Sequence, residues 1–201
     1  MKTSSLSHAG SLFKYHFRTP GSEVEGPVRF AIGRTMLGKL VIGRSVRGVC
    51  AIFLGDDERA LREQLAAAFP AHELRADQAA LERELGQIVA FIDGEAPGGA
   101  AGVDLDIGGT AFEQKVWQAL CRIPAGMTRS YGEIARHIGM PDAARAVAGA
   151  CAANVLAVAI PCHRVVRGDG SISGYRWGVG RKRELLVNEA MVAPVLAAQA
   201  A

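Results

Sequence analysis

The sequence predicts a two-part fold, an α/β domain followed by an α-helical domain with a helix-turn-helix and a small wing. Three observations predict it. Short apolar or alternating runs separated by turn residues fill the early part of the chain, which is typical of strands. Two capping-box patterns open helices in the later part. There a short helix, a glycine turn and a second helix follow one another, which is the order of a helix-turn-helix.

The first half begins with residues 1–27, which are polar and rich in Ser and Gly, so we expect a poorly ordered leader with a short ordered piece around residues 12–17. An α/β domain should then occupy 28–105. Three strand-like runs predict a three-stranded antiparallel sheet, and they lie at 28–32, 38–42 and 49–54. Apolar residues at helical spacing predict two helices, and a further strand closes the domain, at 57–69, 78–92 and 103–107. The glycine-rich stretch 98–102 is expected to be a linker.

The second half is expected to form a helical domain over 106–190, followed by a tail over 191–201. Capping-box patterns predict helix starts at Thr110 and Ser130, since each has Glu three residues later. Gly139 should end the second of these helices, and the next begins near Pro141. A glycine-containing turn at 168–170 predicts a wing hairpin, and 181–190 predicts a last helix.

Composition limits the classes of function. The 201 residues are 49% hydrophobic, which is enough for a core, but no run of about 18 apolar residues predicts a membrane span. The N-terminus lacks a signal segment, so we expect a cytoplasmic protein. Four cysteines without a CxxC pair disfavour disulfides and a zinc site, and we expect no metal or cofactor. Residues 106–201 carry a net charge of +4, against −1 for residues 1–105, which favours a polyanion partner for the second half.

Two segments carry the candidate chemistry. Cys162 lies beside His163, and a nucleophile next to a base indicates covalent chemistry on sulfur. Upstream, residues 142–154 form a predicted helix of mostly small residues with a single basic side chain, Arg145. Such a slim helix suits close approach to a groove in an anionic partner, so the two segments together predict a cysteine that acts on nucleic acid.

The run Pro-Cys-His-Arg-Val-Val at 161–166 resembles the acceptor-cysteine signature of the O6-alkylguanine-DNA alkyltransferases. The resemblance extends from about residue 28 to about 189, and the Gly-Tyr-Arg-Trp-Gly at 174–178 is most similar to the C-terminal domain of bacterial Ada and its stand-alone relatives. It implies an N-terminal domain of ribonuclease-H-like topology. It also implies a winged helix-turn-helix whose second helix docks in the minor groove of DNA.

The resemblance also implies roles for single residues. Cys162 would accept the alkyl group, His163 would draw its proton through a water, and Glu189 would orient His163. Tyr131 would donate a proton toward the flipped guanine. Arg145 would fill the gap that the extruded nucleotide leaves in the stack, on a helix whose small residues contact DNA: Ala143, Ala144, Ala146, Gly149 and Ala150.

Other residues are expected to line or support the alkyl pocket: Asn154, Pro161, Val165, Tyr175 and Arg176. Asn154 should hold the turn before the cysteine. Val165 and the Cys162 carbonyl are expected to accept from the guanine exocyclic amine. Arg176 and Trp177 stand where some relatives have small residues, which predicts a narrower pocket.

The function implied is direct-reversal DNA repair, in which a monomer takes an alkyl group once from O6-alkylguanine, or O4-methylthymine, in double-stranded DNA. Three alternatives remain open at this point. A non-catalytic binder of alkylated bases is disfavoured by the presence of Cys162. A DNA-binding regulator would use the helix-turn-helix alone, and a cysteine hydrolase would need an oxyanion pocket that no motif indicates.

Overall fold

The computed structural model describes the backbone of residues 5–6, 12–95 and 102–199. Side chains are described over 12–95 and 102–191, and the predicted linker lies mostly outside the described residues. The chain divides into two compact units. The first comprises residues 1–114 and 155–157, and the second comprises 115–154 and 158–201. The predicted boundary near 105 therefore falls before residues that pack with the first unit.

The first unit contains a seven-stranded mixed sheet in the order β1-β2-β7-β5-β4-β3-β6. The strands are β1 (Ser5–Leu6), β2 (Phe13–Phe17), β3 (Val28–Thr35), β4 (Gly38–Arg44), β5 (Val49–Gly55), β6 (Leu74–Ala76) and β7 (Val103–Ile107). The predicted antiparallel meander is β3-β4-β5. A sheet of only three strands is wrong, because β2, β6 and β7 add parallel pairings on both sides of the meander.

Residues 13–17 lie in the short ordered piece that is expected within the leader. They form β2, which pairs in parallel with β7 along its whole length. Phe13, Tyr15 and Phe17 are buried, whereas Lys14 is exposed. This alternation buries three aromatic side chains on one face of the strand, and such burial stabilises a strand by several kcal/mol at about 25 cal/mol per Å².

Two helices, α1 (Glu58–Ala68) and α2 (Glu82–Ile92), pack on the sheet of the first unit. The carboxylate of Asp57 caps α1 by accepting from Ala60 N at 2.8 Å. Helix α1 can approach β4 closely because Gly43 has no side chain. A Cβ there would lie 3.1 Å from Leu65 Cδ1, a buried side chain of α1.

A short stretch of the later sequence joins this sheet. β7 pairs with β5 only at Val49, so the rest of that edge accepts another segment. Ile52 N donates to Val155 O at 2.9 Å, and Ala157 N donates to Ile52 O at 3.0 Å. Residues 155–157 are thereby fixed by backbone hydrogen bonds.

The second unit is mainly helical, as predicted. Its elements are α3 (Ala111–Leu120, which begins in the first unit), β8 (Arg129–Ser130), α4 (Tyr131–His137), α5 (Ala144–Ala153), β9 (Val165–Val166) and α6 (Val179–Gln199). Both predicted capping boxes are present, at Thr110 and at Ser130. Gly139, with φ of 75°, lies in the turn between α4 and α5, in the left-handed region that favours glycine. Helix α6 continues to Gln199 and so includes most of the expected tail.

The predicted wing is only partly formed. Its turn is present, because Arg167 N donates to Ser171 O at 3.0 Å and Gly170 has φ of 82°. However, β9 pairs in parallel with β8, and residues 171–175 form no strand. None of the helices in the described ranges is long and apolar enough to cross a membrane.

Candidate active site

Cys162 lies at the start of a 3-10 turn, Cys162–Arg164, and the preceding residues 156–161 are buried. Val158, one of these buried residues, has φ of 59°. A β-branched residue is strained in this conformation, and such strain is often found at functional sites. Asn154, the residue after α5, is completely buried. Its Nδ2 donates to Ile160 O at 3.0 Å and to Cys162 Sγ at 3.2 Å. Asn154 thus binds the backbone before Cys162 and also contacts the sulfur directly, and the second contact was not indicated by the sequence.

His163 lies against Glu189 of α6. The distance between His163 Nε2 and Glu189 Oε1 is 2.8 Å, and the imidazole is almost fully buried. Because a carboxylate only accepts, Nε2 carries the proton of a neutral ring and Nδ1 bears the lone pair. In the described part of the chain, no group hydrogen bonds to Nδ1. His163 therefore presents a nitrogen that can take a proton.

Arg164 also binds Glu189, which sequence reasoning missed. Its Nε and Nη2 reach the two carboxylate oxygens at 2.9 and 2.7 Å, and its Nη1 donates to Ile123 O at 2.5 Å. Burial alone would raise the pKa of Glu189, but hydrogen bonds from His163 and Arg164 outweigh it and lower the pKa to about 2. Glu189 is thus a fixed anion over the whole physiological pH range.

The thiol itself is held neutral. Burial raises the pKa of Cys162 to about 11, although the hydrogen bond from Asn154 and the charge of Lys182 lower it in part. Burial also lowers the pKa of His163 below its usual value, and Glu189 only partly offsets this. At neutral pH the pair is therefore a thiol beside a neutral imidazole, so a thiolate must be formed by proton transfer when it is needed.

Tyr131, the first residue of α4, belongs to a second polar group of the site. Its hydroxyl lies 2.7 Å from Ser173 Oγ, and Lys182 Nζ donates to the same Ser173 oxygen at 2.8 Å. Burial raises the pKa of Tyr131, so the phenol stays protonated. Sequence reasoning named neither Ser173 nor Lys182. Helical phase could have indicated Lys182, because it lies three and seven residues before the buried Leu185 and the part-buried Glu189.

A cavity of about 340 Å³ opens beside the sulfur. Its lining residues are Tyr131, Ala148, Cys151, Ala152, Cys162, Gly174, Tyr175 and Arg176. The Tyr175 ring packs edge-on against His163, with centroids 6.3 Å apart. Arg176 Nη1 donates to Ala152 O at 3.2 Å, so this side chain spans from the loop to α5 at the cavity. The cavity thus brings together residues from three segments, which are Tyr131, Cys162 and the adjacent pair Tyr175 and Arg176.

Two expectations for the pocket need correction. Val165 is completely buried, and its carbonyl accepts from Lys182 Nζ at 2.5 Å and lies 3.2 Å from Ser173 Oγ. Because it is buried and enclosed by these two side chains, Val165 O is not open to a guanine amine. Trp177 is also buried rather than exposed at the cavity, and it stacks edge-on with Tyr175 at 5.0 Å. Pro161 is buried and directly precedes the 3-10 turn.

Helix α5 presents a smooth outer face. Arg145, Ala146 and Gly149 are exposed, and Ala143 and Ala144 are half-buried at its start. A Cβ built on Gly149 meets no atom within 4 Å, so this face is open. The expectation that Ala150 belongs to the outward, DNA-contacting residues is wrong, because Ala150 is 3% exposed and its carbonyl accepts from Trp117 Nε1 at 2.9 Å.

The other cysteines are less suited to nucleophilic chemistry. Cys50 is buried in β5, and burial raises its pKa to about 12. Burial likewise raises the pKa of Cys151, well above its usual value. Cys121 is half-buried on the turn after α3. Among the described residues, no group of three or more His, Cys, Asp or Glu side chains could hold a metal ion.

The arrangement matches a known family. Residues 111–191 match the model of the 6-O-methylguanine DNA methyltransferase DNA-binding domain. The chain is 49% identical over 164 residues to the bifunctional transcriptional activator/DNA repair enzyme Ada of Escherichia coli, covering 81% of this chain and 46% of the relative. It therefore spans about half the length of that relative.

Shorter relatives are covered more completely. The chain is 48% identical over 118 residues to the methylated-DNA–protein-cysteine methyltransferase of Mycobacterium bovis, which is 59% of this chain and 70% of the relative. Its fold is similar to that of Mycobacterium tuberculosis OGT, solved in complex with DNA, with a TM-score of 0.68, 35% identity and coverage of 82% of this chain and 94% of that one. On this likeness of sequence and fold, the chain belongs to the methylated-DNA–protein-cysteine methyltransferase family.

Proposed function

We propose that this protein repairs DNA directly, by moving the alkyl group of O6-alkylguanine in double-stranded DNA onto Cys162. One observation carries the proposal: the Cys162 sulfur lines a cavity and is followed by His163, whose Nε2 is bound to Glu189 and whose Nδ1 is unpartnered among the described residues. This is the order nucleophile, base and orienting carboxylate. The activity is that of a methylated-DNA–protein-cysteine S-methyltransferase.

The step balances without a cofactor. His163 Nδ1 takes the Cys162 proton, through a water if one bridges them. The thiolate pair forms a bond to the alkyl carbon, and the bond between that carbon and O6 breaks with its electrons left on guanine. The guanine anion then takes a proton from the Tyr131 hydroxyl. Because a thioether carries no leaving group that water can displace readily, each molecule acts once.

The cavity also argues that the target base leaves the helix. Cys162 is buried at a cavity, so an alkyl carbon on O6 cannot reach the thiolate in line while its guanine stays stacked in the duplex. We propose that α4 and α5 act as a winged helix-turn-helix, with α5 in the minor groove, which is only about 6 Å wide. The exposed Arg145, Ala146 and Gly149 support this, since one cation stands on an otherwise slim face. Arg145 would fill the gap left by the flipped base.

The remaining features of the proposal are broader. We propose that the protein acts as a cytoplasmic monomer, that O4-methylthymine is a second substrate, and that the first unit has ribonuclease-H-like topology. The antiparallel β3-β4-β5 meander flanked by parallel strands and covered by α1 and α2 supports that topology. Residues 106–190 would form the DNA-binding and alkyl-acceptor domain.

Intact mass measurement after incubation with a duplex that contains one O6-methylguanine tests the proposal. We expect each protein molecule to gain one CH2, mapped to Cys162, equally with and without a metal chelator. Cys162→Ala should gain nothing yet retain DNA binding, whereas the matched control Cys151→Ala should still be methylated. A methyl group on Cys151, repeated turnover, or no transfer by the native protein would overturn the proposal.

A further inference from the structure

Lys182 is a buried ammonium group whose role the proposed reaction leaves open. It lies in the first turn of α6 and is 0% exposed, and no carboxylate among the described residues forms an ion pair with it. Its Nζ donates to Val165 O at 2.5 Å, to Ser173 Oγ at 2.8 Å and, more weakly, to Gly174 O at 3.5 Å. Burying a cation is costly unless its donors are used, so these contacts define what Lys182 does here.

Ser173 is the junction of the network. Its oxygen accepts from Lys182, and it lies 2.7 Å from the Tyr131 hydroxyl and 3.2 Å from Val165 O. A serine hydroxyl has one proton, which can go either to Val165 O or to Tyr131. Lys182 already supplies Val165 O through the shorter contact, 2.5 Å. The serine proton is therefore available to Tyr131.

The direction of this bond decides what Tyr131 can do. If Ser173 donates to the phenol oxygen, then the Tyr131 proton is free to point into the cavity, which Tyr131 lines beside Cys162. If Lys182 is lost, Val165 O needs the serine proton, and Ser173 must then accept from Tyr131. The phenol proton would be turned away from the cavity.

We propose that Lys182 is a positioning residue, which acts through Ser173 to direct the hydroxyl proton of Tyr131 toward the departing base. The inference rests on the proposed function and adds to it the part of the site that prepares the acid. No bond to Lys182 or Ser173 is made or broken in the alkyl transfer. Lys182 and Ser173 instead set the direction of two hydrogen bonds, from Lys182 to Ser173 and from Ser173 to Tyr131, and the charge of Lys182 strengthens both.

Single-turnover methyl transfer from duplex O6-methylguanine tests the proposal with Lys182→Met, Ser173→Ala, Tyr131→Phe and their double variants. General-acid help is worth about 10²–10⁴-fold, so we expect Lys182→Met and Ser173→Ala each to slow transfer by about 10-fold to 100-fold. Either change made in the Tyr131→Phe background should cost almost nothing more, since residues that act as a unit are not additive. Arg183→Met, at the exposed neighbouring position, is the matched control.

A second readout separates positioning from folding. Iodide leaves without a proton, so alkylation of Cys162 by iodoacetamide needs the thiolate but no acid. Because the charge of Lys182 also lowers the Cys162 pKa, the variant for this readout is Ser173→Ala, which keeps that charge. We expect Ser173→Ala to react with iodoacetamide within about 3-fold of the native rate while its methyl transfer is slowed. Equal slowing in both reactions, or losses that multiply in the double variants, would overturn the inference. Failure of the native protein to take the methyl group would instead overturn the proposed function.

Discussion

Removing the base tests how the buried thiol becomes reactive. The perturbations are His163→Ala and Glu189→Gln, singly and together. With a Cys162 pKa of about 11, roughly one thiol in 10⁴ is ionised near pH 7, a cost of about 5 kcal/mol at about 1.36 kcal/mol per pH unit. General-base help spans about 10²–10⁴-fold, so a single base can offset most of that cost. We therefore expect His163→Ala to slow transfer by about 10³-fold near neutral pH.

The Glu189 variant should cost a similar amount for a different reason. Glu189 raises the pKa of His163 against the larger lowering by burial, so its loss leaves a weaker base. The same change leaves the Arg164 guanidinium, which is 12% exposed on its side chain, without its carboxylate partner and still close to the imidazole. Because His163 and Glu189 act as one unit, the double variant should be little slower than either single variant.

The measurement is the single-turnover rate as a function of pH. In the native protein the rate should rise as His163 loses its proton, below its ordinary pKa because burial lowers that pKa, and then level off. In His163→Ala the rate should instead rise tenfold per pH unit toward the thiol pKa of about 11. Glu184→Gln, an exposed carboxylate of the same helix, is the control. An unchanged pH profile in His163→Ala, or losses that multiply, would show that another group activates Cys162.

Two further predictions concern α5. Arg145→Ala should slow repair of duplex DNA far more than transfer from free O6-benzylguanine, if that base is accepted. In the duplex, filling the gap in the stack offsets an unstacking cost of a few kcal/mol, and a free base has no such cost. Equal slowing in the two assays would place Arg145 in the chemistry or the fold. Gly149→Leu should raise the unfolding free energy by up to about 1 kcal/mol, since the helix face at this position is open. The same change should weaken duplex binding, because leucine adds bulk in the minor groove. Unchanged affinity would contradict the docking of α5 in that groove.

The sequence predicted the elements whose signals are local. Both capping boxes, the glycine turn before α5 and the three strands of the meander lie close to their predicted positions. What it missed depends on distant partners. A short ordered piece is expected around residues 12–17, but its identity as strand β2 depends on pairing with β7, which lies far along the chain. β6 has just three residues, too few for a periodic pattern.

At the site, the sequence identified the reacting groups better than the groups that hold them. Cys162, His163 and Glu189 were placed through a family resemblance, and the structure brings His163 and Glu189 within hydrogen-bond distance. Ala150 and Val165 were assigned outward or open roles because composition does not show the phase of a helix or the partners of a carbonyl. Both are buried, and Val165 O already accepts a hydrogen bond from Lys182.

Arg164 shows why such partners escape a reading of the sequence. Side chains of adjacent residues usually point apart, so His163 and Arg164 would not be expected to share a partner. Here they do, because Cys162–Arg164 is a 3-10 turn and the Glu189 carboxylate has two oxygens with several lone pairs. Arg164 also ties this carboxylate to Ile123 O, after α3. The consequence is chemical as well as structural: a carboxylate shared with arginine raises the pKa of His163 less than a lone one would, so the imidazole stays neutral and able to accept the Cys162 proton.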